Sequence, residues 1–132
     1  MNLPKPPPTS EGDLKGAAKG LLTVLEKRGK LIFLRLNAGM LIAENKEGKR
    51  RAIKLSPPGT ADYLVLRARR IMVLGRMAEE VLPTCEITFI ELKAPGKKQT
   101  PAQKAFQSRV EAQGAEYWLI DDYDELERRL GK

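Results

Sequence analysis

With 132 residues, 42% of them hydrophobic and 31% charged, the chain has the length and mixture of a single globular domain. Histidine is absent and Cys85 is the one cysteine, which excludes an internal disulfide, a cysteine-based zinc site and any histidine-dependent nucleophile or base. That absence leaves hydrolysis to carboxylates, lysine and an oxygen-loving cation such as Mg²⁺ or Mn²⁺, while a net charge of +7 favours an anionic partner, nucleic acid first.

Residues 1–10 read as a stiff Pro-rich arm without the apolar stretch of a signal peptide, and residues 11–132 as one domain. No apolar run reaches membrane-spanning length, so an intracellular, cytoplasmic protein is expected. Ser10 to Arg28 carries Leu14, Ala17, Ala18, Leu21, Leu22 and Leu25 on one helical stripe, with Ser10 as cap and Gly29 as stop. Strands are expected at Lys30–Leu36, Met40–Glu44 and Ala52–Leu55, the last two joined by the basic turn from Asn45 to Arg51. Another apolar strand opens at Asp62, after the turn Pro57-Pro-Gly-Thr-Ala61. The segment from Arg67 to Thr84 is ambiguous, with a short helix expected between Gly75 and Leu82, and Cys85 is expected to pack as a small apolar residue. Thr100-Pro-Ala-Gln103 starts a helix with a cap, a first-turn proline and a capping-box glutamine; Phe106 and Val110 form its inner stripe. A last strand, Ala115–Ile120, and a short helix, Asp122–Leu130, close the chain.

The strand Glu86-Ile-Thr-Phe-Ile-Glu-Leu-Lys93 is apolar on both faces, as a central strand should be, until it ends in charge. Glu91 and Lys93 share the face of Ile87 and Phe89, roughly 6–7 Å apart at two-residue spacing. Burying an acid there costs several kcal/mol unless a cation offsets it. Asp62 and Glu91, with the backbone carbonyl of Leu92, offer oxygens to a divalent cation. Lys93 can orient or deprotonate water and offset charge building on a phosphate. The competing reading of each is ordinary: a turn aspartate, a solvated ion pair, and a Gln103 that only caps its helix.

Taken in order, Arg35-x-Asn37, Pro58-Gly-Thr-Ala-Asp62, Ile90-Glu-Leu-Lys-Ala-Pro-Gly96 and Thr100-Pro-Ala-Gln-x-x-Phe106 resemble the PD-(D/E)xK nuclease superfamily, and within it the VRR-NUC family. The resemblance runs from about Glu11 to Leu130. It implies an α/β fold, with a restriction-endonuclease-like core of one central mixed β-sheet flanked by helices. It implies a Mg²⁺- or Mn²⁺-dependent, structure-selective DNA endonuclease acting on branched DNA such as Holliday junctions or flaps, as a homodimer. Asp62 and Glu91 would be metal ligands, joined by an acid of the first helix for which Glu11 is the candidate. Lys93 would be the catalytic lysine and Gln103 a helper in the site. Residues 67–84 would be an insertion between the two catalytic strands.

Arg35, Lys49, Arg50, Arg51, Lys97 and Lys98, with the arginines between 67 and 76, are candidate phosphate contacts. Three functions compete: a metal-dependent nuclease, a non-catalytic nucleic-acid-binding module with the same fold, and an assembly protein whose charge only keeps it soluble.

Overall fold

The computed structural model describes residues 10–36, 40–54, 56–75 and 79–131. The Pro-rich arm up to residue 9, Asn37 and Arg76 lie outside the described residues. The fold is α/β: a four-stranded mixed sheet in the order β1-β4-β5-β6, with helices on both faces. Its strands are β1 (Ile32–Arg35), β4 (Tyr63–Leu74), β5 (Glu79–Leu92) and β6 (Glu116–Ile120). A separate hairpin is formed by β2 (Met40–Glu44) and β3 (Arg50–Lys54).

Helix α1 (Glu11–Lys27) starts where Ser10 Oγ accepts the Asp13 N–H at 3.1 Å. It buries Leu14, Ala18, Leu21, Leu22 and Leu25 against the sheet, each such leucine worth roughly 1.5–3 kcal/mol. On that face lie Tyr63 and Val65 of β4, Ile90 and Leu92 of β5, and Trp118 and Ile120 of β6. Helix α3 (Tyr123–Arg129) adds Leu126, and Leu130 follows it into the same core.

β1, β4 and β5 are antiparallel neighbours, whereas β5 and β6 run parallel. A parallel pair needs a crossover, and helix α2 (Pro101–Ala112) provides it across the second face. Phe106 of α2 sits edge-on to Phe89 at 5.3 Å and to Tyr117 at 6.3 Å. α2 has no fully buried residue, so Phe106 and Val110 are half-buried and this face is thinly covered.

The segment 67–84 differs from its sequence expectation. β4 continues to Leu74 and pairs with a β5 that begins at Glu79, so the Glu79–Leu82 half of the expected helix is strand. The ladder is an antiparallel arm running past the edges of the core. Cys85 lies on this arm and is exposed, not packed inside.

Candidate functional site

β5 carries Glu91 into the end of the sheet, where its side chain is only 4% exposed. A glutamate so buried must find partners, and α2 supplies one. Gln103 Nε2 donates to Glu91 Oε1 at 2.9 Å. The same amide is fixed at its other end, because Gln103 Oε1 accepts the Thr100 N–H at 2.9 Å. The capping box is completed by the Gln103 N–H donating to Thr100 Oγ1 at 3.2 Å. Gln103 therefore does both things that its position suggests: it caps α2 and it holds Glu91.

The other oxygen, Glu91 Oε2, is buried and has no hydrogen-bond partner among the described residues. Burial pushes the Glu91 carboxyl up to about 7, and the neighbouring Asp62 charge pushes the same way. Lys93 and Lys15 pull against that rise, and Glu11 adds slightly to it. Four charged groups thus act on Glu91 at this sheet end.

Asp62 is held at three points by main chain. Its N–H donates to the Ile90 carbonyl at 3.0 Å, its carbonyl accepts the Leu36 N–H at 2.8 Å, and its Oδ2 accepts the Leu92 N–H at 2.8 Å. Tyr63 is also the register partner of Ile90, so two successive residues meet one, the count of a β-bulge. Such a bulge re-aims a side chain, and here it turns Oδ1 toward α1, 3.6 Å from Lys15 Nζ. A strand residue presents its N–H and C=O to the same edge. The Leu92 carbonyl therefore faces the Asp62 side, while the Lys93 N–H is engaged by Ile120 on the other side.

The turn before Asp62 is seated just as firmly. Gly59 has φ +86, and a Cβ there would lie 2.4 Å from the Ala102 carbonyl group in the first turn of α2. Only glycine lets the Asp62 turn and the Gln103 turn meet at this distance.

Among the described residues, no three His, Cys, Asp or Glu side chains form a metal cluster by themselves. Glu11, the candidate third acid, is turned to Lys15, its Oε1 lying 3.7 Å from Nζ. The donors that remain are two carboxylates and a main-chain carbonyl, all oxygen, with one buried carboxylate oxygen unpartnered. That set suits a hard cation which keeps part of its own water, as Mg²⁺ and Mn²⁺ do.

The basic candidates are dispersed. Arg35 stands exposed at the end of edge strand β1, beside a concavity that Asp62 also lines. Lys49, Arg50 and Arg51 are exposed on the separate β2–β3 hairpin. Lys97 and Lys98 are exposed on the loop following Lys93, which turns where the Lys97 N–H meets the Ala94 carbonyl. Arg67 is not available to a phosphate. It pairs with Glu86 at 3.1 Å, donates to the Arg129 carbonyl at 3.2 Å and lies 5.0 Å above the Trp118 ring. Lys15 was not foreseen, because a lysine beside the apolar stripe of a helix looks like solvated surface.

A concavity of about 910 Å³ lies on the thinly covered α2 face and contains neither Asp62, Glu91 nor Lys93. Its lining is mostly apolar, including Leu64, Leu66, Ile87, Phe89, Phe106 and Val110.

No family model matches the chain, and no curated protein matches it. A solved structure described as a VRR_NUC domain is similar over 91% of this chain and 94% of its own, with 19% identity and a TM-score of 0.50. At that identity the likeness is one of fold, and the α/β architecture of this chain is that of the VRR_NUC domain.

Proposed function

We propose that the chain is a VRR-NUC nuclease of the PD-(D/E)xK superfamily, hydrolysing phosphodiester bonds in DNA with Mg²⁺ or Mn²⁺. The observation that carries this reading is the buried, unpartnered Oε2 of Glu91 beside the fixed carboxylate of Asp62. A fold has no structural use for an orphaned acid at that place, whereas a cation site does.

Asp62, Glu91 and the Leu92 carbonyl hold the cation, which when bound supplies Lewis-acid activation of water and charge neutralisation at phosphate. Gln103 keeps Glu91 Oε1 occupied, so that Oε2 remains the free donor. Leu92 N–H fixes Oδ2 of Asp62 and sets the direction of its remaining lone pairs. Lys93, half-buried on the strand end beside Glu91, positions the attacking water and stabilises negative charge on the phosphoryl oxygens. Arg35, Lys49, Arg50, Arg51, Lys97 and Lys98 contact neighbouring phosphates. The preferred substrate is branched DNA, the working form is a homodimer, and the enzyme acts inside the cell. No described helix is long and apolar enough to cross a membrane.

The test is incubation with Holliday junctions, flaps, forks, duplex and single strands in Mg²⁺, Mn²⁺ or EDTA. Cleavage of the branched substrates with either metal and none in EDTA is expected. Salt-sensitive binding without cleavage under any metal would leave a non-catalytic DNA-binding module in place of an enzyme.

A further inference from the structure

Beside Asp62, on the α1 side of the site, lies a second concavity of about 420 Å³. Lys15 and Lys19, one helical turn apart, form one wall; Arg35 of β1 forms the other, and Asp62 and Tyr63 close it. Gly16 belongs to the same wall, and a Cβ there would meet nothing within 4 Å, so the space is open to a ligand. Tyr63 is 4% exposed and shares the lining of this concavity with Arg35, Asp62 and Lys15. Among the described residues neither Lys19 nor Arg35 has an acidic partner within ion-pair distance; Lys15 is shared between Glu11 and Asp62.

Three cations thus line one opening that has a single acid in its wall. Once the Asp62 carboxylate is committed to a cation, its charge no longer offsets theirs. Resting on the nuclease reading above, we propose that Lys15, Lys19 and Arg35 form a second phosphate subsite, seating the DNA phosphodiester adjacent to the one that is cut.

The experiment uses the full chain in a Lys93→Ala background, so that labelled branched DNA stays intact in Mg²⁺. Lys19→Gln alone, and Lys19→Gln with Arg35→Gln, are compared with Lys27→Gln, which removes an exposed charge on the same helix away from the concavity. Dissociation constants across a salt series are expected to show a log–log slope reduced by about 1 in the double variant. The single variant should fall part-way, with Lys27→Gln at the parent slope. Mn²⁺ binding, measured without DNA, should be unchanged throughout. An unchanged slope in the double variant overturns the subsite, as does an equal loss with Lys27→Gln or a parallel loss of Mn²⁺ binding. If the native chain cuts DNA while the slopes do not move, the subsite alone falls. If it neither binds nor cuts DNA, the nuclease reading falls with it.

Discussion

At Glu91 one side chain is asked to satisfy two environments at once. Oε1 is held by Gln103, while Oε2 has only buried space and the Asp62 charge nearby. In the metal-free protein the carboxyl is raised from 4.5 to about 7, so between those values the folded chain binds the proton that the unfolded chain has released. Stability from this group is therefore full below about pH 4.5 and is lost as pH rises through 7. Glu91→Gln removes that loss. In EDTA the variant should gain on the parent as pH rises from 4.5 to 8, by up to roughly 3 kcal/mol at 1.36 kcal/mol per pKa unit. Denaturant melts across pH check it, and a constant difference would mean that Glu91 is solvated. Lys93→Ala is expected to abolish cleavage while leaving the melting temperature and most DNA affinity intact; Asp62→Asn should remove activity and weaken Mn²⁺ binding. Either variant cutting at the parental rate would remove these residues from the site. Glu91 and Lys93 were legible in the sequence because charge at the end of an apolar strand has few benign explanations. Lys15 was not, because its partner Asp62 is brought to it by the bulge at Asp62–Tyr63 opposite Ile90, and no local pattern announces a bulge.

Among the elements, α2 shows how a cap can serve a site. Its first turn is pinned from below by Gly59 and from within by Thr100, and both constraints fix where Gln103 reaches. Gly59→Ala meets backbone at 2.4 Å as well as a left-handed φ, and has no small adjustment open to it. A loss of about 3 kcal/mol is expected, with cleavage falling further than stability alone explains, because α2 must lift away from Glu91. Thr100→Ala should cost about 1 kcal/mol, and Thr100→Ser should restore it. If Gly59→Ala unfolded at the parental denaturant midpoint, the close approach of the two turns would be wrong. Both ends of α1 and the start of α2 were readable because caps and a 3.6-residue stripe are local signals. The arm at 67–84 was not. The run Ile71-Met-Val-Leu74 has no periodicity to separate strand from helix, and its pairing with Glu79–Leu82 just beyond is announced by no tight-turn signal in the sequence.

The molecule as a whole is lopsided. The face under α1 and α3 is sealed, whereas the α2 face leaves Ile87 and Leu119 well exposed, and the arm exposes Met72, Leu74 and Val81. A two-stranded ribbon with so much apolar surface is marginal by itself and gains from being covered. The homodimer proposed above predicts a dimer mass in sedimentation. If the exposed arm lies in that contact, Met72→Lys with Val81→Lys, cross-strand partners on the arm, shifts the mass toward monomer. A parent chain that stays monomeric at high concentration would remove the dimer from the proposal and leave the site intact. The order of strands was not legible, since the parallel pairing of β5 with β6 depends on how α2 crosses the sheet. One further consequence lies in β5. It runs without a break over 14 residues, about 45 Å of strand, from the tip of the arm to the residue before Lys93. The arm and the residue that carries the buried carboxylate, Glu91, therefore belong to one uninterrupted strand.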